Sequence, residues 1–376
     1  MNSIFKEIEK LSLKKTIEFD SFNYDRYTVV TKGPDRTKTA YSFGVPIYNE
    51  QTNNIVDVKY VHRKNGSYHM GSNARITIRD SVSIQNQYGY CDILLPGKIS
   101  KKTENTVSWL SQGSQIDVIP TLNGVAIKAT WASADRFNIT IKLDRVFESI
   151  RSNDKCFSIM REKFVPFITV SCIGVLNDRG EVVAPCELHN RKVNEKKYIL
   201  SFTSQSKSGK NIFFEINMQE TKLFQDTTVE SRHPKMNNAF GGTAFLGRTD
   251  TFGEQWLYSR LELSNLPQLQ SKRIIKAILH IPKLNSSNCL LTIHRISVRF
   301  CSFGSNWENK ISITDPLTES VIFNGYYDLD ITNLISDIKK KSENYVVRAK
   351  DLHGKPAVIS TGDSFFKPQI LEVKFK

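Results

Sequence analysis

LFQDTTVESRHPKMNNAFGGTAFLGRTDTFGEQWLYSRLELSNLP, residues 223–267, decides the fold. A short strand, Asp226-Thr-Thr-Val229, opens it. The cluster Asn237-Asn238-Ala-Phe-Gly241-Gly242 follows, rich in residues that take positive φ and so make turns. A second strand, Ala244–Gly247, runs into a polar loop through Gly253. A third, Gln255–Leu263, alternates and closes on Ser264-Asn265-Leu266-Pro267. Short strands parted by turn signals predict the opening of an all-β sandwich.

Working outward, the stretch resembles the start of the DNRLRE domain family, a non-catalytic β-sandwich module of bacterial and phage proteins. The Asp-x-x-Val strand, the Asn-rich turn and Ser259-Arg260-Leu261-Glu262-Leu263-Ser264 carry the likeness, although Arg260-Leu261-Glu262 is only a fragment of the name-giving string. Later landmarks follow in order: Ile275–Ile281, Leu291–Ile296, Trp307, the strand-to-helix step Leu329–Leu334, and Pro368–Val373. The resemblance covers roughly the last two-fifths of the chain, a domain-sized piece. Tyr41–Tyr48, the Gly71–Ala74 turn and Pro120–Val125 look like an N-terminal half found with such modules in Firmicutes and their phages.

At 376 residues the chain is long enough for two domains with separate cores. Hydrophobic residues make up 39% and charged residues 24%, a globular balance, while 22 Phe and 13 Tyr favour strands. The net charge of +14 is spread along the chain rather than held in a tail. It suits an acidic partner surface, such as wall teichoic acid, nucleic acid or a neighbouring subunit, and equally a solvated Lys-rich surface. Six cysteines without a C-x-x-C pair argue against zinc and for folding in a reducing cytoplasm. Residues 1–15 are charged and lack the apolar core of a signal peptide. No run reaches membrane-spanning length. The expected location is therefore the cytoplasm during folding, then a virion or a cell surface after release.

Three divisions are expected: a helical arm over 1–18, a β-rich region over 19–218 that is either one domain or two subdomains breaking near 145–155, and the sandwich over 219–376. In the arm, Ile4, Phe5, Ile8 and Leu11 share one helical face, suited to packing on its own domain or docking on another subunit. Asn65-Gly66 and Asn177-Asp-Arg-Gly180 are hairpin signals in the middle region. In the last domain one helix is predicted over 330–341, with Ile331, Leu334, Ile335 and Ile338 as its apolar stripe. The expected fold is all-β: tandem antiparallel β-sandwiches, jelly-roll-like, with these two helices.

No catalytic constellation stands out. Ser208-Gly209-Lys210 lacks the rest of a phosphate-binding loop, and no nucleophile elbow or paired-His zinc helix occurs. His62, His280 and His294 fall in strands, where a satisfied structural role is expected. Asp328-x-Asp330 is a weak calcium pair or a helix cap, and Asp363 a turn residue. Catalytic residues, metals and cofactors are accordingly expected to be none. Candidate ligand-binding residues are the aromatics Trp256, Trp307, Tyr326, Tyr327, Phe365 and Phe366, with Trp109 a further one, because an aromatic face can stack on a sugar ring. For each, core packing is the competing reading. No nucleic-acid motif interleaves with the basic residues. The sequence thus predicts a non-catalytic structural or recognition protein. The first expectation is a phage-derived virion component, either a tail or baseplate fibre or a capsid decoration, homo-oligomeric and partnered by other assembly subunits and a host glycan. The alternative is a carbohydrate-binding protein of the bacterial surface.

Overall fold

A computed structural model describes residues 3–12, 25–34, 36–49, 54–58, 61–70, 72–111, 113–131, 136–147, 149–204, 211–218, 222–336 and 340–376. The Ser208-Gly209-Lys210 triplet, Gly71, Ile338 and the arm beyond Ser12 lie outside these residues. The chain is dominated by antiparallel strands, with one helix, Ser3–Ser12, among the described residues. It forms two compact units: a composite one from Ser3–Ile55 and Thr221–Lys376, and an inserted one, Val56–Glu220.

This division differs from the expected boundary at residue 19. Strands Thr28–Lys32 and Lys38–Phe43 belong with the C-terminal sandwich, because Lys38–Phe43 pairs along its length with Ile370–Phe375. Strand periodicity reports which residues face inward but says nothing about the partner strand, so the sequence hid this pairing.

The composite unit packs two sheets. One runs in the order Thr28–Lys32, Lys38–Phe43, Ile370–Phe375, Ile274–Pro282, Tyr326–Asp330, Val321–Phe323. The other contains Pro316–Glu319, Leu291–Arg295, Glu343–Ala349, Gly253–Leu261, Thr243–Thr249 and Ala357–Ser360, with Phe224–Glu230 also on Gly253–Leu261. The three strands of the opening stretch are therefore all present. Leu257, Leu261, Val347 and Ile293 from one sheet meet Ala40, Leu279, Leu329 and Val373 from the other in a single core.

Helix Ser3–Ser12 packs on this unit. Ile4, Ile8 and Leu11 are buried, Phe5 is half-buried, and the Asn324 amide donates to the Lys10 carbonyl at 3.0 Å. Tyr326 Oη donates to Glu7 while Lys10 Nζ lies 5.1 Å from the Tyr326 ring. A ten-residue helix is marginal alone, and burying each apolar side chain contributes about 1.5–3 kcal/mol. Docking is what holds it, and its apolar face is already occupied within its own unit rather than free for another subunit.

The predicted helix over 330–341 is corrected over its described residues, 337–339 lying outside them. Residues 331–336 form turns: Leu334 N and Ile335 N both donate to Ile331 O, at 2.9 and 3.2 Å. Arg295 Nη2 then donates to the Asn333 and Leu334 carbonyls at 2.7 and 3.3 Å, claiming acceptors a helix would need for its next turn. Ile331, Leu334 and Ile335 reach the core all the same.

The inserted unit has an eight-stranded and a nine-stranded sheet over one core that runs through residues on both sides of 145–155. It therefore does not divide there into two subdomains. Phe137–Leu143 shows why it folds this way: Phe137, Ile139, Ile141 and Leu143 are buried while Asn138 and Lys142 are exposed. Asn65 and Gly66 take φ of 50° and 77°, the conformation a two-residue hairpin requires, and Lys64 pairs with Ser67 across it.

Candidate ligand-binding site

The opening stretch owes its shape to a buried polar network. Glu230, fully buried, receives hydrogen bonds on Oε2 from Gln255 Nε2 at 2.9 Å and Asn238 Nδ2 at 3.2 Å. Its Oε1 lies 2.7 Å from His233 Nδ1. Gln255 Oε1 in turn accepts from Phe245 N. Asn237 Nδ2 donates to the Ser302 and Ser305 carbonyls at 2.6 and 2.7 Å, tying down the long loop over 296–315. The two adjacent asparagines are thus a clasp: one grips the strands beneath, the other the loop above. Beside it, Asp226 Oδ2 accepts from Gly362 N at 2.5 Å and Lys222 is ion-paired to Asp363. Burial pushes the Asp226 carboxyl up to about 7, against the pull of the Gly362 N–H and Lys222. Asp363 is more than a turn residue; it is the buried counter-ion of Lys222.

The aromatic candidates are mostly part of the packing. Tyr327 and Phe365 are buried, and Tyr326 lies under the N-terminal helix. Trp109 is buried in the inserted unit. Trp256 is buried in a small core with Val229, Tyr258, Ile296, Phe300 and Val346, formed where the 296–315 loop covers the outer face of its sheet. Only Trp307 and Phe366 are half-exposed. The Trp307 face is not open either: Lys310 Nζ sits 3.8 Å from its centroid, and Arg348 lies 5.4 Å from that of Trp256. A sugar could stack there only by displacing a cation–π contact of about 0.5–1 kcal/mol. These aromatics do not form a shared platform.

His280 and His294 behave as structural groups. Burial alone would lower His280, but its hydrogen bonds to Asp328 at 2.7 Å and Glu372 at 3.2 Å win and raise it. Asp328 is therefore engaged with His280, and Asp330 accepts from Thr332 N at 3.0 Å. His294 Nδ1 donates to Thr314 O at 2.8 Å. Among the described residues no group of three or more metal-ligating side chains could hold an ion.

What the composite unit offers a ligand is an open cleft of about 530 Å³, lined by Ser287, Asn288, Cys289, Lys350, Asp351 and Lys355 among others. Sequence reasoning missed it because two loops build it: the one before strand Leu291–Arg295 and the one between Glu343–Ala349 and Ala357–Ser360. The loops are locked together. Ser287 Oγ donates to Lys355 O at 2.7 Å, Asn285 Nδ2 to Pro356 O at 2.9 Å, and Lys350 N to Leu290 O at 2.9 Å. His353 N donates to Asp351 Oδ1 at 2.8 Å, and Gly354 at φ 108° allows the turn that follows. Lys355 Nζ reaches Ser286 Oγ at 3.0 Å, while Lys350 Nζ reaches Glu319 at 2.7 Å. Burial raises the Cys289 thiol, so it stays protonated and unactivated. The cleft thus has a rigid floor and polar walls: the Lys355 ammonium and the Asn288 amide stand beside the Asp351 carboxylate, and Lys350 is paired with Glu319.

Among the described residues no helix is long and apolar enough to cross a membrane. No protein-family model matches the chain, and no curated protein matches it.

Proposed function

We propose that this chain is a non-catalytic structural and recognition protein that binds an acidic cell-surface glycan. The observation that carries the reading is the Lys350–Lys355 cleft, a built site with hydrogen-bonding and cationic groups and an unactivated thiol. The net charge of +14 would draw such a polymer in. The setting we propose is a phage-derived virion component, a tail or baseplate fibre or a capsid-surface decoration, a setting supported by the sequence resemblance.

One observation favours the second reading, a carbohydrate-binding protein of the bacterial surface. The N-terminal helix spends its apolar face on its own unit, so the docking element that the sequence offered for assembly is taken. A glycan array probed with the full chain tests recognition: acidic glycans should bind, and Lys355→Glu with Lys350→Glu should weaken them. An array without hits would sink the proposal. Mass spectrometry of purified particles separates the two settings, since a virion component must co-purify with them.

A further inference from the structure

The open face of the inserted unit's eight-stranded sheet carries one uninterrupted polar row. Following the register from edge to edge, Asn194 pairs with Lys197, Lys197 with Lys142, and Lys142 with Asp92. Asp92 pairs with Ser83, Ser83 with Thr77, Thr77 with His69, and His69 with His62. None of these residues is buried. Their chain neighbours, including Ile76, Ile78, Val82, Ile84, Cys91, Ile93, Ile141 and Leu143, point the other way into the core.

Neighbouring strands lie about 4.8 Å apart, so the eight residues of the row extend over roughly 34 Å along the twisted sheet. An extended chain of pyranose rings advances by nearly the same step. Each sugar can then meet the side chain of one strand as the polymer follows the twist of the sheet. The charge on the face is complementary to an acid. Lys142 and Lys197 lie in the row, with Arg75 and Arg191 exposed beside it. The row's one carboxylate, Asp92, is engaged by the Ser83 hydroxyl. Beside the row, the aligned trio Tyr90, Gln85 and Arg75 adds a largely exposed aromatic ring, Tyr90. At the far edge the His62 and His69 rings stack at 5.3 Å, a flat surface on which a sugar can end.

We infer that this face is a track for an extended acidic polysaccharide, lying across the strands along the Asn194-to-His62 row. The inference extends the glycan-recognition reading to the second unit and stands on its own observation, the register of this sheet. It is tested by titrating the full chain with polymannuronate oligosaccharides of increasing length, with cello-oligosaccharides as the uncharged control and a DNA duplex as the competing polyanion.

Affinity should rise with length until the oligosaccharide spans the row, and cello-oligosaccharides should bind more weakly. The double variant Lys142→Glu/Lys197→Glu should lose at least about tenfold in affinity, as expected for reversing two contact charges. Asn138→Ala, exposed on the same face but off the row, serves as the control for a general surface effect and should bind as the parent does. Unchanged binding by the double variant with an unchanged melting curve would overturn the track. If binding is lost instead on Lys350→Glu/Lys355→Glu, the cleft survives and the track falls. Tighter binding to the duplex than to any oligosaccharide would overturn the glycan assignment of this face.

Discussion

Asp226→Asn isolates a strongly perturbed, buried carboxyl. Asp226 is buried, and its pKa of about 7 against an ordinary 3.8 means that the folded state prefers the protonated acid. A raised acid contributes stability at low pH and loses it as pH climbs from the unfolded value through the folded one. Between pH 4.5 and 8 the loss from this one group is about 3 kcal/mol. Asparagine keeps an oxygen to accept from Gly362 N and has no proton to lose, although its amide costs about 1–3 kcal/mol where it goes unpartnered. That cost is the same at every pH, so the measurement is the change in the gap between variant and parent. Urea unfolding followed by tryptophan emission at pH 4.5 and 8 gives it directly. The variant should gain on the parent by about 2–3 kcal/mol as pH rises. A gap of the same size at both pH values would refute the argument that burial outweighs Lys222 and the Gly362 N–H.

Other expectations follow from the same structure. His280→Gln should flatten the decline in melting temperature above neutral pH. The raised imidazolium contributes stability below the ordinary value of 6.5 and loses it as pH passes the folded value; parallel profiles would show that the Asp328 and Glu372 contacts contribute nothing. Trp256→Ala should cost about 3–5 kcal/mol as a buried aromatic, and Trp307→Ala less than half of that. Equal losses in calorimetry would mean that the loop, not the sheet, holds the small outer core. Ile8→Asp should detach the N-terminal helix, seen as faster hydrogen exchange over residues 3–12, with the solution mass unchanged. A drop in mass by light scattering would reveal that the helix also bridges two copies.

The strands were legible because their signals are local. Alternation in Phe137–Leu143 and the Asn65-Gly66 turn depend on neighbours a few residues away. The clasp was not legible, because Glu230, Asn238 and Gln255 read as polar letters and only their mutual pairing permits burial. Tyr326 and Tyr327 show the same limit. Both were candidates for sugar stacking, against the competing reading that one ring of an adjacent pair faces the core and the other covers a sheet. Tyr327 enters the core, but the N-terminal helix, more than 300 residues away in sequence, covers Tyr326. The turns that replace the expected helix over 331–336 have a related reason: Arg295, a distant residue, takes the Asn333 and Leu334 carbonyls. The cleft could not be seen because it belongs to two loops whose proximity is set by the sheet between them.

The composite unit imposes an order of events on synthesis. Strand Lys38–Phe43 leaves the ribosome before the inserted unit, yet its sheet neighbour Ile370–Phe375 emerges only after the whole of that unit. The hairpin Thr28–Phe43 must wait with one hydrogen-bonding edge open, the condition under which chains pair wrongly with one another. The inserted unit has no such dependence and can close while translation continues. Release of the polypeptide with residues 370–376 missing would therefore strand both ends of the composite unit, and cells making such a truncated chain should accumulate it in inclusion bodies with a protease-resistant middle.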